Sequence, residues 1–339
     1  MKNNSYYENS SISQSYLKTL GSFNPYYESE EDLWYTEKKH FTIGDGVDLQ
    51  LTQPGVFDEL MFTSELEDTE KPSDKMLGVI HLAFDKVESA TTFEKVALEA
   101  ARELEYNPKW GDEAITKAVS KYKGYFDELF KAQGKIVLTR ENRDKIDSLV
   151  MAIRTNVRTN KYFEKGVGIE ILYQCPLFFT YDGFSCKALL DMVRIDHNEK
   201  TILPIDFKTT GETIRNFPLA CKKRRYDIQA SYYTYALIEF KKQHPEYKDY
   251  TILPFEFIVV STIDPIVVPM VFRCTRDLLN IGEYGRKSVF YDGVLVANEI
   301  YGWRQLFEIH KKYEELGREE HFEFIGRPSC HIDSNFHLA

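Results

Sequence analysis

The sequence predicts an α/β protein in which a central mixed sheet is flanked by helices and preceded by helical additions. Three observations carry this. Residues 73–160 are rich in helix formers, with apolar residues three and four apart. From Gly168 the pattern changes to three short apolar and β-branched runs separated by turn signals. A helix-like stretch then leads to two further strand-like runs. A chain of 339 residues can bury a sizeable core. Its expected organisation is a mostly helical part, 1–160, and a sheet-bearing part, 161–339, joined as one compact domain.

Taken in order, a short helix is expected at Ser13 to Leu20, capped by Ser or Asn, and a second around Ile43 to Thr52 that Pro54 must end. The runs FEKVALEAARELE, DEAITKAVSKYKGYFDELFKAQ and ENRDKIDSLVMAIRTN each repeat apolar residues at helical spacing. Three antiparallel strands follow, IEILYQCPLFF, FSCKALLDMVRI and TILPIDFKT, with turns at YDG and DHNEK. A helix is expected from about Asp227 to Gln243, then strands FEFIVVST and PIVVPMVF. A long amphipathic helix from about Arg276 to Leu316, broken at its glycines, completes the order. Neither an internal repeat nor a low-complexity segment is present.

Composition excludes several classes of protein. Hydrophobic residues at 43% and aromatic ones at 14% argue against long disorder. No apolar run approaches the ~18 residues needed to span a bilayer. The polar opening MKNNSYYENSSISQS lacks the apolar centre of a signal peptide, so a cytoplasmic protein without membrane attachment is expected. Cys175, Cys186, Cys221, Cys274 and Cys330 are scattered with no CxxC pair, which reads as reduced thiols and no zinc site. A formal net charge of -10 speaks against coating nucleic acid through a general basic field, so any contact with it must be local.

Chemistry concentrates in the hairpin FSCKALLDMVRI, DHNEK, TILPIDFKT. Its turn centre falls between Asn198 and Glu199, and equal counts outward put Asp191 opposite Asp206. Strand side chains alternate, so Asp206 and Lys208 share one face while Phe207 points to the other. Cross-strand neighbours lie ~5 Å apart, and two carboxylates that close repel unless a cation or a proton sits between them. Oxygen ligands select a hard ion such as magnesium, and Lys208 would orient the attacking water or stabilise developing charge. The plain alternative is an ordinary surface pair of Asp191 with Lys208. Against it, ALLDMV and LPIDFK are too apolar for solvated faces, and buried charges need partners or metals.

The run GIEILYQCPLFFTYDGFSCKALLDMVRID, then ILPIDFKTTG, then YDIQASYYTYAL, resembles the core of the PD-(D/E)XK nuclease superfamily. The resemblance is to the exonuclease branch that holds the phage RecE-like, lambda-exonuclease-like and RecB-like enzymes, and it covers Glu170 to Leu237 closely. SISQSYLKTLGSFNP, FTIGDGVDLQLTQPGVFDELMF and ENRDKIDSLVMAIRTN are similar in type and order to RecE-like nucleases. On that resemblance Asp191 and Asp206 match the two acids and Lys208 the lysine. Gln229 and Tyr233 match the glutamine and tyrosine of the following helix, where they help hold DNA and the lysine's surroundings. Glu170 matches an upstream acid that serves as metal ligand, a strand-edge charge being its plain alternative.

Two positions depart from the pattern. Leu190 stands where the proline of the motif's name would be, and Asp48, in GDGVD, where the branch has a histidine. An aspartate can still give oxygen to a divalent ion, so Asp48 is the expected further ligand, with His81 in VIHLAF as its rival. For phosphate contact the candidates are Lys187 and the run Lys222, Lys223, Arg224 and Arg225 before the Gln229 helix, which a solvated face would also explain. The scattered cysteines count against the iron-sulfur branch of these nucleases. The resemblance implies magnesium, with manganese as a substitute, and phosphodiester hydrolysis of linear duplex DNA from its ends, 5′ to 3′. It also implies phage-type recombination beside a single-strand annealing protein, and a homo-oligomer. A structure- or sequence-selective endonuclease is the first alternative; a catalytically silent DNA-binding or virion component with the same fold is the second.

Overall fold

The structure, a computed structural model, describes residues 4–22, 43–67, 70–87, 91–291, 294–297, 299–312 and 314–315. The expected positions Phe41, Thr42, Leu316 and Cys330 lie outside the described residues, as does the end of the opening motif from Phe23. The chain divides into two compact units, Met1–Glu37 with Ile153–Ala339, and Lys38–Ala152. The second junction lies between Ala152 and Ile153, and the first residues group with the sheet and not with the helices that follow them.

The first unit begins with α1 (Asn4–Tyr7) and α2 (Gln14–Ser22). The other unit holds α3 (Ile43–Thr52), α4 (Pro54–Leu60), β1 (Met61–Ser64), α5 (Asp74–Lys86), α6 (Phe93–Glu103), α7 (Asp112–Ser120), α8 (Lys123–Ala132) and β2 (Ile136–Thr139). Pro54 ends α3 as expected, but it also starts α4, because a helix's first turn has no use for the amide that proline lacks. The run expected as one helix from Asp112 breaks into α7 and α8. β1 and β2 pair in parallel, and Val79, Ile80, Ala97, Ala100, Ile115 and Val119 fill a core of this unit's own. α9 (Arg140–Thr155) leads back to the first unit.

There, β3 (Ile169–Tyr181), β4 (Phe184–Asp196) and β5 (Thr201–Thr210) form the expected antiparallel meander. α10 (Phe217–Lys223) and α11 (Tyr226–Gln243) follow, then β6 (Thr251–Ile252), β7 (Glu256–Ser261) and β8 (Met270–Arg273). β7 runs parallel to β5 and antiparallel to β8, giving a mixed sheet in the order β3-β4-β5-β7-β8, with β6 also on β5. A strand, a crossover helix and a parallel strand thus put α11 over the sheet, where Ile228, Ala230, Tyr232 and Ala236 meet Leu177, Ala188, Val193 and Phe257.

The long helix expected from Arg276 to Leu316, with breaks at its glycines, is a helix, a hairpin and a helix: α12 (Arg276–Tyr284), β9 (Val289–Tyr291) paired with β10 (Val294–Ala297), and a helix α13 over 303–312. α12 crosses the start of α11 at Gly282, where any Cβ would run into the Asp227 carbonyl. That close approach fixes the helix turn carrying Asp227 and Gln229. α13 adds Trp303, Leu306 and Phe307 to the core. Among the described residues no helix is long and apolar enough to cross a membrane.

Candidate active site

The hairpin register is the expected one. Met192 pairs with Ile205 and Asp196 with Thr201, so continuing by one step sets Asp191 against Asp206. Asp191 Oδ2 accepts the Phe207 amide at 2.9 Å, which ties the first acid to the strand of the second. Phe207 itself turns to the other face and stacks on Phe163 at 5.9 Å.

β4 changes the face it gives to the core at this place. Cys186, Ala188 and Leu190 contribute to the same core as Val193 and Ile195, so the positions facing that core pass from even to odd across Asp191. Opposite Asp191 in the β3 register stands Gln174, whose φ of 47 interrupts the ladder between Tyr173 and Cys175. Left-handed backbone at a non-glycine residue is costly, and it lets a strand pair switch faces.

Asp206 is 1% exposed, and its two oxygens have different partners. Gln229 Nε2, on the covering helix α11, donates to Oδ1 at 2.6 Å. Oδ2 forms an ion pair with Lys208 Nζ and meets no hydrogen-bond donor of good geometry. Burial works against the Lys208 charge, but Asp206 and then Asp191 more than offset it, so its pKa is raised. The ammonium also lies 5.0 Å from the Tyr226 ring centroid and 6.0 Å from that of Phe257.

The opening helix brings two residues that the sequence reading did not single out. Gln14 of α2 is buried next to Tyr233, and Lys18, one turn on along the same face, stands in the field of Lys208, Asp206 and Asp227. Burial, and next the Lys208 charge, push Lys18 down to about 8 against the pull of the two acids. Their spacing of four within SISQSYLK was the available signal; nothing local says which face α2 presents.

Several expected site residues are placed elsewhere. Glu170 is opposite Ile195, four positions along β4 from Asp191. At ~3.3 Å per residue that is about 13 Å of strand, and the Glu170 carboxylate instead meets His197 Nε2 at 3.2 Å while His197 Nδ1 meets the Tyr250 hydroxyl at 2.9 Å. Lys187 is an anchor and not a phosphate contact: its Nζ donates to the carbonyls of Tyr6 and Asn9 and lies 4.7 Å over the Tyr6 ring. The reason is an open edge. β5 leaves the β4 ladder at Met192, and Ile12 bridges to Cys186 beyond it, drawing the N-terminal segment over Lys187.

Arg225 likewise turns inward. It grips the buried Asp227 through Nε at 3.0 Å and Nη2 at 2.9 Å, and caps the Tyr301 carbonyl at 2.7 Å. Lys222, Lys223 and Arg224 are exposed. Tyr233 is buried, not offered to a base; burial, with Tyr6 and then both acids, pushes its phenol far up and keeps it neutral. In the other unit, Asp48 is half-buried on α3, its carbonyl accepting Thr52 Oγ1 at 2.8 Å. His81 on α5, the rival candidate, is exposed beside Tyr125.

Among the described residues no group of three or more His, Cys, Asp or Glu gathers to hold a metal. The site is therefore a two-carboxylate one with a paired lysine and a glutamine. No family model matches the chain, and no curated protein is similar to it. Among solved structures, the chain is similar to a candidate exonuclease of Eubacterium rectale at 15% identity, over 64% of this chain and 80% of that one, with a TM-score of 0.30. That likeness is too low to carry fold or chemistry.

Proposed function

We propose that the protein is a magnesium-dependent deoxyribonuclease built on a PD-(D/E)XK core, with Asp191, Asp206 and Lys208 at its catalytic centre. The observation that carries this is the buried Asp206 carboxylate, set by the hairpin register against Asp191 and held between Gln229 and the Lys208 ammonium. An all-oxygen set of two carboxylates is too small for a closed zinc or calcium cage. It suits magnesium, which takes one or two carboxylates and completes its shell with water and substrate phosphate. Manganese fits the same donors.

Asp191 and Asp206 would hold that ion, which when bound polarises the phosphate and makes the attacking water more acidic. The chain's own residues do the rest. Gln229 fixes the Asp206 plane, the Phe207 amide fixes Asp191, and Lys208 keeps a positive charge where the phosphate gathers negative charge. The exposed Lys222, Lys223 and Arg224 supply the local phosphate contacts that a chain of net charge -10 needs. The resemblance of the hairpin and the Gln229 helix to the RecE-like branch supports digestion of linear duplex from its ends, 5′ to 3′, by a homo-oligomer working with a single-strand annealing protein.

Linear and covalently closed circular duplex, incubated with the protein with and without magnesium, test this. Expected is loss of linear DNA alone, only with the metal. Cleavage of the circle would make the enzyme an endonuclease. Cleavage in excess chelator, or none in any arm, would remove the mechanism.

A further inference from the structure

We infer that Tyr226 is a positioning residue for Lys208, its ring forming one wall of a clamp whose other wall is the Asp206 carboxylate. The inference rests on the nuclease reading above for its kinetic consequence, but its geometry stands alone. Lysine is a flexible side chain with a compact charge, so holding its Nζ in one place needs contacts on more than one side. Asp206 supplies one. The Tyr226 ring, 5.0 Å from Nζ, supplies the second, with Phe257 at 6.0 Å beside it.

The ring is itself held. Phe217 of α10 stacks on Tyr226 at 5.9 Å and 25°, and Phe257 packs against it at 5.7 Å. Phe217 in turn touches Phe257 at 5.7 Å and Phe272 of β8 at 4.8 Å. The register explains the meeting: β5 pairs Asp206 with Phe257 and Lys208 with Val259, so Phe257 shares the face of the two charged residues. Tyr226, the first residue of α11, lies three before Gln229, and one helix turn thus brings both the ring for Lys208 and the donor for Asp206. A cation over an aromatic face is stabilised by the ring's quadrupole, more so away from water. The clamp acts on catalysis only through Lys208.

The test compares Tyr226→Phe, which keeps the ring, with Tyr226→Leu, which removes it. In protein carrying 13Cε-lysine, the Lys208 ε-methylene signal should be displaced by the ring in the wild type and in Tyr226→Phe, and move towards the ordinary lysine position in Tyr226→Leu, where only Phe257 remains near it. In single-turnover cleavage Tyr226→Leu should lose roughly tenfold in rate, the scale of one partly desolvated cation–π contact, with KM for DNA unchanged, while Tyr226→Phe stays within about twofold. An equal loss in Tyr226→Phe would assign the effect to the hydroxyl and overturn the clamp, as would a Lys208 signal that does not differ between wild type and Tyr226→Leu. Melting curves of both variants identify a fold that has failed, and Tyr226→Met then replaces the leucine variant. If wild-type protein cuts no DNA, the nuclease reading falls, and the lysine signal still decides the clamp.

Discussion

Replacing Lys208 by methionine separates the structural use of that ammonium from its chemical one. Asp206 is 1% exposed, and Lys208 is the cation at its Oδ2. Removing one partner of a buried pair leaves an uncompensated charge and costs on the order of 3–5 kcal/mol. Gln229 still donates to Oδ1, so the lower end applies. At roughly 2–4 °C per kcal/mol for a unit of this size, Lys208→Met in chelator should melt on the order of 10 °C below wild type. Magnesium adds the second part. On the proposed mechanism the ion would share Asp206 with the lysine in the wild type and take a vacant counter-charge position in Lys208→Met, so the metal should raise the variant's melting temperature more than the wild type's and close most of the gap. Scanning calorimetry in chelator and in excess magnesium reads both numbers, and Asp206→Asn/Lys208→Met should lose the response to the metal. A variant that melts within a degree or two of wild type in chelator would show that Asp206 does not depend on the pair. A gap that magnesium leaves untouched would deny that the ion and the lysine address the same oxygen. With magnesium present, Lys208→Met should cleave at least a hundredfold more slowly than wild type, the usual scale for losing a charge aimed at the transition state.

Glu170→Gln should leave cleavage and the magnesium response as they are, since Glu170 is four register positions from Asp191 and meets His197; abolished cleavage would return it to the metal site. Exchanging Lys222, Lys223 and Arg224 together for alanine should weaken DNA binding and flatten its salt dependence by up to about 2.7 in slope, ~0.9 per phosphate contact, with the saturated single-turnover rate kept; an unchanged slope would make the run a solvated face. Because the Lys208 pKa is raised in the fold, the stability it gives is fully present below the ordinary lysine pKa and is lost only as pH rises through the higher folded value. The melting difference between wild type and Lys208→Met should therefore stay level from neutral pH into the ordinary lysine range and shrink beyond it; a difference that vanishes near neutrality would mean that Lys208 is not held charged by the acids.

The hairpin was legible because its determinants are local. Alternation with period two and the length of DHNEK set the register, and from it follow the facing acids, the shared face of Asp206 and Lys208, and the opposite turn of Phe207. The helix carrying Gln229 was legible for the same reason, from its composition and its place after the strands. The misread stretch after Arg276 held its own correction: VFYDGVLV alternates around an Asp-Gly pair, the strongest short hairpin signal, and helical periodicity was extended across it.

Sequence alone thus determined the three-stranded meander and the acid pair with its lysine, because strand periodicity and turn length act over a few residues. Tertiary structure decided which charges are used inside the protein. Lys187 and Arg225 look as basic as Lys222 and Lys223, yet Lys187 is bound to carbonyls at Tyr6 and Asn9, and Arg225 to Tyr301. Tyr226 becomes a wall for Lys208, and Lys18 reaches the acids' field, only because α10, β7 and α2 converge there from distant parts of the chain. A side chain's donors go to whichever acceptors the folded chain brings within reach, and burial then sets how strongly each charge is held.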